Sequence, residues 1–83
     1  MTIRVLVFGH YRDVLPAGEG GVTLDLSSGA TVADAARRMA DIDPRFADLL
    51  ARTRVAVQAE FAASDTPLAD GDEVAFLPPM SGG

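Results

Sequence analysis

At 83 residues, with 48% hydrophobic and 23% charged side chains and a mean hydropathy of +0.19, the chain reads as one folded domain with a single modest core, burying roughly 60% of its unfolded surface. A net charge of -5 and a sequence pI near 4.5 argue against a nucleic-acid surface, which needs clustered Lys and Arg. No apolar run approaches a membrane span or a signal peptide, so no membrane partner and a cytoplasmic location are expected, and the absence of cysteine removes disulfides, thiolate nucleophiles and Cys-ligated zinc.

In chain order, Ile3 to Phe8 alternate at period two, with Ile3, Val5 and Val7 on one face and Arg4, Leu6 and Phe8 on the other. His10, the lone histidine, reads as a solvated loop residue and completes no triad. Gly18, Gly20 and Gly21 match neither a dinucleotide fingerprint nor a Walker loop. The alternation resumes at Val22 to Leu26, which predicts a β-hairpin. Thr31 and Asp34 stand at capping-box spacing ahead of a helix that buries Val32, Ala35, Ala36 and Met39, with Asp34 and Arg38 as an outward ion pair. Pro44 should end that helix, and Arg45 to Leu50 suggest a short second one that buries Phe46, Leu49 and Leu50. Val55 and Val57, alternating with Ala56 and Gln58, predict a third strand. Asp65 to Asp72 read as turns, where Asp serves its own backbone, and the oxygen spacing of a calcium loop is missing. Val74 and Phe76, alternating with Ala75 and Leu77, predict the last strand. The order ββαββ, one main helix on a mixed sheet of four to five strands, is an α+β fold of the β-grasp type over residues 1–77.

Residues 78–83, Pro78-Pro79-Met80-Ser81-Gly82-Gly83, read as an extended tail. The two prolines cannot donate ladder hydrogen bonds, so the sheet must release the chain there. Six residues at about 3.3 Å each reach roughly 20 Å. Without a Cβ, Gly82 and Gly83 could thread a narrow tunnel and lie against a nucleotide; a frayed terminus is the plainer alternative.

The run Asp70-Gly71-Asp72-Glu73-Val74-Ala75-Phe76-Leu77-Pro78-Pro79-Met80-Ser81-Gly82-Gly83, with Phe8, Arg12 and the segment Ala56-Val57-Gln58-Ala59-Glu60, resembles the MoaD small subunits of molybdopterin synthase, within the MoaD/ThiS group of ubiquitin-like sulfur carriers. The resemblance spans the whole chain. Gln58 stands where such proteins commonly have Asn, which points to another turn type after Val57; Gly9 and Tyr11 also depart from the usual residues. The resemblance implies a ubiquitin-like fold and a protein that is not itself an enzyme. A MoeB-like adenylating enzyme, using ATP and Mg²⁺, would activate Gly83, and a sulfurtransferase donor would convert the adenylate to a thiocarboxylate. The tail would then enter a MoaE-like large subunit, where sulfur passes to cyclic pyranopterin monophosphate. This chain would bind no cofactor or metal of its own.

If Ile3, Val5, Val7, Val74 and Phe76 face the helix, alternation gathers Leu6, Phe8 and Leu77 on the open side of the sheet. With Arg12, they are the expected partner-binding residues. All seven basic residues are Arg, so no lysine amine is on offer to an activated terminus. A carrier for another thiolation pathway, a ubiquitin-like protein modifier, and a binding module with an inert tail stay open beside the molybdopterin reading.

Overall fold

Two strands from opposite ends of the sequence, β1 (Thr2–Val7) and β5 (Glu73–Leu77), lie side by side and parallel at the centre of the sheet. The computed structural model describes residues 1–7 and 21–77. Among these, β2 (Val22–Asp25), β3 (Arg54–Val57) and β4 (Glu60–Ala62) complete a five-stranded sheet of order β2-β1-β5-β3-β4. The β1–β5 pair is parallel and its neighbours antiparallel. Parallel partners need a long crossover, which here includes α1 (Val32–Ile42), packed on one face. The result is the ubiquitin-like β-grasp.

Alternation decides what each strand buries. Ile3, Val5 and Val7 of β1, Leu24 of β2, Val74 and Phe76 of β5 and Val55 of β3 enter one core cluster with Val32, Ala35, Ala36 and Met39 of α1. Helix α1 begins as the sequence predicts. The Asp34 amide donates to Thr31 Oγ1 at 3.4 Å while the Thr31 amide donates to Asp34 Oδ2 at 2.8 Å, a complete capping box. That Thr31 amide, the Thr31 hydroxyl and the Arg37 guanidinium hold the Asp34 carboxyl below its ordinary value. The expected Asp34–Arg38 pair does not form. Asp34 pairs instead with Arg37, one turn away at 3.1 Å, and Arg38 turns toward the Asp25 carbonyl at 3.5 Å.

The predicted second helix is divided. A 3-10 turn, Pro44–Phe46, precedes α2 (Leu49–Arg52), and Asp43 caps the turn through the Arg45 amide at 2.9 Å. Phe46 and Leu49 are buried as expected, but Leu50 is exposed. A short turn followed by a four-residue helix cannot present three large side chains inward, and Leu50 is the one left outside.

Gln58 belongs to the β3–β4 turn and not to β3. Gln58 and Ala59 have φ of 51° and 69°, the pair of positive values that a two-residue type I′ hairpin requires. Gln58 thus takes a left-handed conformation that such turns more often give to Asn, although left-handed φ costs an L-residue about 1–2 kcal/mol. Contacts across the sheet offset this strain. The Gln58 amide donates to Glu73 O at 3.0 Å, and Gln58 Oε1 accepts from the Glu73 amide at 2.8 Å, so the turn is tied to the first residue of β5.

The acidic segment before β5 extends the central pairing. Asp70 Oδ1 accepts from the Thr2 amide at 2.7 Å, Gly71 N donates to Thr2 O at 2.7 Å, and Asp72 O accepts from the Arg4 amide at 3.0 Å. Asp72 Oδ2 accepts from the Ala69 amide at 2.8 Å, so two carboxylates that could suggest a cation site serve backbone donors.

Gly21 enters β2 at φ +85°, where an added Cβ would lie 2.2 Å from Val5 O and 2.7 Å from Leu6 Cδ2. Gly29 has φ +90° with nothing within 4 Å of such an atom. Gly29→Ala should therefore cost about 1–2 kcal/mol in urea denaturation, the backbone penalty alone, and Gly21→Ala at least about 2 kcal/mol more, because the β1–β2 pairing must shift. Equal losses would show that Leu6 and the Val5 carbonyl are not held tightly against Gly21.

Candidate functional site

The side chains that point away from α1 form the other face of the sheet, and register specifies who meets whom. Leu6 pairs with Ala75, Ala75 with Ala56, and Ala56 with Phe61, so one apolar row crosses β1, β5, β3 and β4. Leu77 stands two residues beyond Ala75 on the same face and pairs with Arg54. Small residues at the middle of the row and large ones at its ends make a shallow apolar surface.

Burial agrees with this division. Ala56 is buried yet stands outside the core cluster, because it is covered by its neighbours on the open face and not by α1. Leu6, Ala75 and Leu77 are half-buried. Phe61 is 70% exposed, and the Arg54 guanidinium lies 5.6 Å from the centre of its ring, a cation–π approach that holds an aromatic edge and a positive charge together. Beside them is a groove of about 500 Å³, lined in part by Leu50, Thr53, Arg54 and Phe61.

Of the sequence-predicted site residues, Leu6 and Leu77 are brought to the same face of neighbouring strands. Phe8, Arg12 and the tail residues Pro78, Pro79, Met80, Ser81, Gly82 and Gly83 lie outside the described residues. Phe61, Arg54, Ala56 and Ala75 were not expected in the site. Three-residue β4 is too short to show a periodicity. Once Gln58 and Ala59 are placed in a two-residue turn, however, Phe61 must stand opposite Ala56.

Charge on this face is sparse and mixed. Arg4 pairs in register with Glu73, and Arg54 stands beyond them near Phe61. Among the described residues the face carries no array of acid, base and nucleophile, and no group of three His, Cys, Asp or Glu could hold a metal ion. Chemically, it can bind another surface by burial of apolar area. No helix among the described residues is long and apolar enough to cross a membrane.

The ThiS family profile matches residues 5–83. The chain belongs to the MoaD/ThiS family. Within it, the chain is 36% identical over 98% of its length to the molybdopterin synthase sulfur carrier subunit of Escherichia coli, 99% of which is covered. SAMP1 of Haloferax volcanii, a small archaeal modifier protein, superposes with a TM-score of 0.83 at 28% identity over the whole of both chains. A chain from the complex of subunits 1 and 2 of the Helicobacter pylori molybdopterin-converting factor gives 0.64 at 25% identity, again over both full lengths. The family's ubiquitin-like fold is the one described above.

Proposed function

We propose that this chain is the sulfur-carrying small subunit of a molybdopterin synthase and that it docks through the open face of its sheet. The observation that carries the reading is the position of Leu77. It ends β5 on the same apolar face as Leu6, Ala75 and Phe61, so a partner seated there meets the chain where residues 78–83 begin. Full-length similarity to named sulfur carrier subunits supports the same reading.

Chemistry then defines the division of labour. An ionised carboxylate is a poor electrophile. A MoeB-like enzyme with ATP and Mg²⁺ joins the Gly83 carboxylate to AMP and releases pyrophosphate. The sulfurtransferase donor's persulfide attacks the acyl carbon and AMP leaves, giving an acyl disulfide. A second thiol of the donor then attacks the donor's own sulfur, closes a disulfide there by supplying the two electrons, and releases the Gly83 thiocarboxylate. The large subunit receives the tail, and its residues direct the sulfur onto cyclic pyranopterin monophosphate. In this scheme the small subunit supplies the reacting atom and the fit, and catalytic groups come from its partners.

Likeness to a small archaeal modifier protein favours a second reading, in which the same activated Gly83 is joined to an amine on another protein. The two differ in product.

Incubation with ATP, Mg²⁺, an adenylating enzyme and a sulfur donor should add about 16 Da to the intact chain, sulfur in place of oxygen, and deletion of Gly83 should abolish the gain. An equal gain in the truncated chain rules out Gly83 as the carrier atom, and isopeptide-linked conjugates in place of the gain favour the modifier.

Docking has its own test. Phe61→Glu and Leu77→Glu should each weaken binding to the large subunit by about 2 kcal/mol or more, the scale of a central interface anchor. Because Phe61 contributes little to the core, its variant should keep the parent's melting temperature. Unchanged affinity in both variants would place the partner elsewhere.

A further inference from the structure

An activated acyl terminus reacts with any unprotonated amine or thiol that reaches it, so a carrier's own surface is its first hazard. This chain has no cysteine, and its cations are all arginine. Guanidinium groups stay protonated and do not attack acyl carbons at neutral pH. Three of them are exposed and paired with a nearby carboxylate: Arg37 with Asp34 at 3.1 Å, Arg45 with Asp43 at 2.8 Å and Arg52 with Asp48 at 2.6 Å. Arg45 holds Asp43 through a two-nitrogen fork, Nε to Oδ1 at 3.1 Å and Nη2 to Oδ2 at 2.8 Å. Arg37 and Arg52 each make a single contact that lysine could supply almost as well, since exposed pairs of that kind contribute little. The structural role of the cation therefore does not require arginine at positions 37 and 52.

The Met1 amine is the remaining nitrogen nucleophile of the amine class, and the fold occupies it. It donates to Leu26 O at 2.7 Å and lies 3.7 Å from Asp25 Oδ1, while the Met1 carbonyl accepts from the Leu26 amide at 2.8 Å. Its side chain is only 8% exposed. These contacts continue the β1–β2 pairing by one residue, so freeing the amine means opening the edge of the sheet.

We infer that the chain is a donor only: its activated terminus cannot be captured by a second copy of itself, because the surface offers guanidinium groups in place of amines and the β1–β2 edge holds the Met1 nitrogen. The inference uses the carrier reading only for the origin of an activated terminus. Aminolysis would form an amide bond between Gly83 and a nitrogen and expel the activating group, AMP from an adenylate or a thiol from a thioester.

The test makes the thioester directly, by thiol cleavage of a fusion of the full chain to an intein, so it does not depend on any adenylating enzyme. Held concentrated at mildly alkaline pH, the wild-type thioester should hydrolyse without forming a species of twice the mass, yet should be consumed as an amide by added ethylamine. Arg37→Lys, which keeps the charge and the pairing distance to Asp34, should yield the covalent dimer. So should a variant with Gly-Ser placed ahead of Met1, which carries the amine out of its contacts. A wild-type dimer overturns the inference, and so does the absence of dimer in both variants while ethylamine still reacts. Separately, pyrophosphate release with ATP and an adenylating enzyme reports on the carrier reading, which can fail without altering the thioester result.

Discussion

The parallel pairing of β1 with β5 is the constraint on which the rest depends. It joins Arg4 to Glu73, Val5 to Val74, Leu6 to Ala75 and Val7 to Phe76; β2 pairs with β1, β3 with β5, and β4 is added through β3. A parallel pair gives up the short hairpin and so requires a crossover, which carries α1 over the face where Val5, Val74 and Phe76 are buried. The loop before β5 is ordered by the same pairing, since Asp70, Gly71 and Asp72 all bond to the backbone of Thr2 or Arg4. Central position also protects β5 on both edges, so the strand that leads to residues 78–83 is held by β1 on one side and β3 on the other.

Once the pairing is set, period-two alternation assigns two different tasks to one strand. Val74 and Phe76 are fully buried and anchor β5 to the core, while Glu73, Ala75 and Leu77 face the other way. Burying a large apolar side chain is worth about 1.5–3 kcal/mol, so a single-residue slip that exchanged these sets would lose the Phe76 and Val74 contacts together. Register is therefore strongly specified, and the open face follows from it without needing stability of its own. That separation lets Phe61 remain exposed beside Arg54. The strained Gln58–Ala59 turn belongs to this arrangement as well, because its two hydrogen bonds to Glu73 align β3, β4 and the start of β5.

Much of this was legible in the residues, for definable reasons. Long alternations and a strong capping signal identify β1, α1 and β5, because each records a burial preference along a single element. Failures cluster where the deciding partner is remote or the element short. Arg37 displaced Arg38 as the partner of Asp34 because Arg38 reaches the Asp25 carbonyl instead, a contact invisible from α1 alone. Leu50 followed a helical spacing that the break between Phe46 and Leu49 interrupts. Gln58 kept a left-handed turn through bonds to Glu73, fifteen residues away, which no local turn rule contains. For the site, Leu6 and Leu77 were accessible through alternation, whereas Phe61, Ala56 and Ala75 required the pairing of β3 with both neighbours.

The central claim is that the face formed by β1, β5, β3 and β4 meets the large subunit and so presents residues 78–83 to it. Methyl NMR of the chain, labelled at alanine and leucine and titrated with a molybdopterin synthase large subunit, tests this most directly. The account predicts that the methyl signals of Leu6, Ala56, Ala75 and Leu77 shift or broaden together while those of Ala33 and Ala40 on α1 stay in place. Perturbation confined to Ala33 and Ala40, with the open-face methyls unmoved, would contradict it.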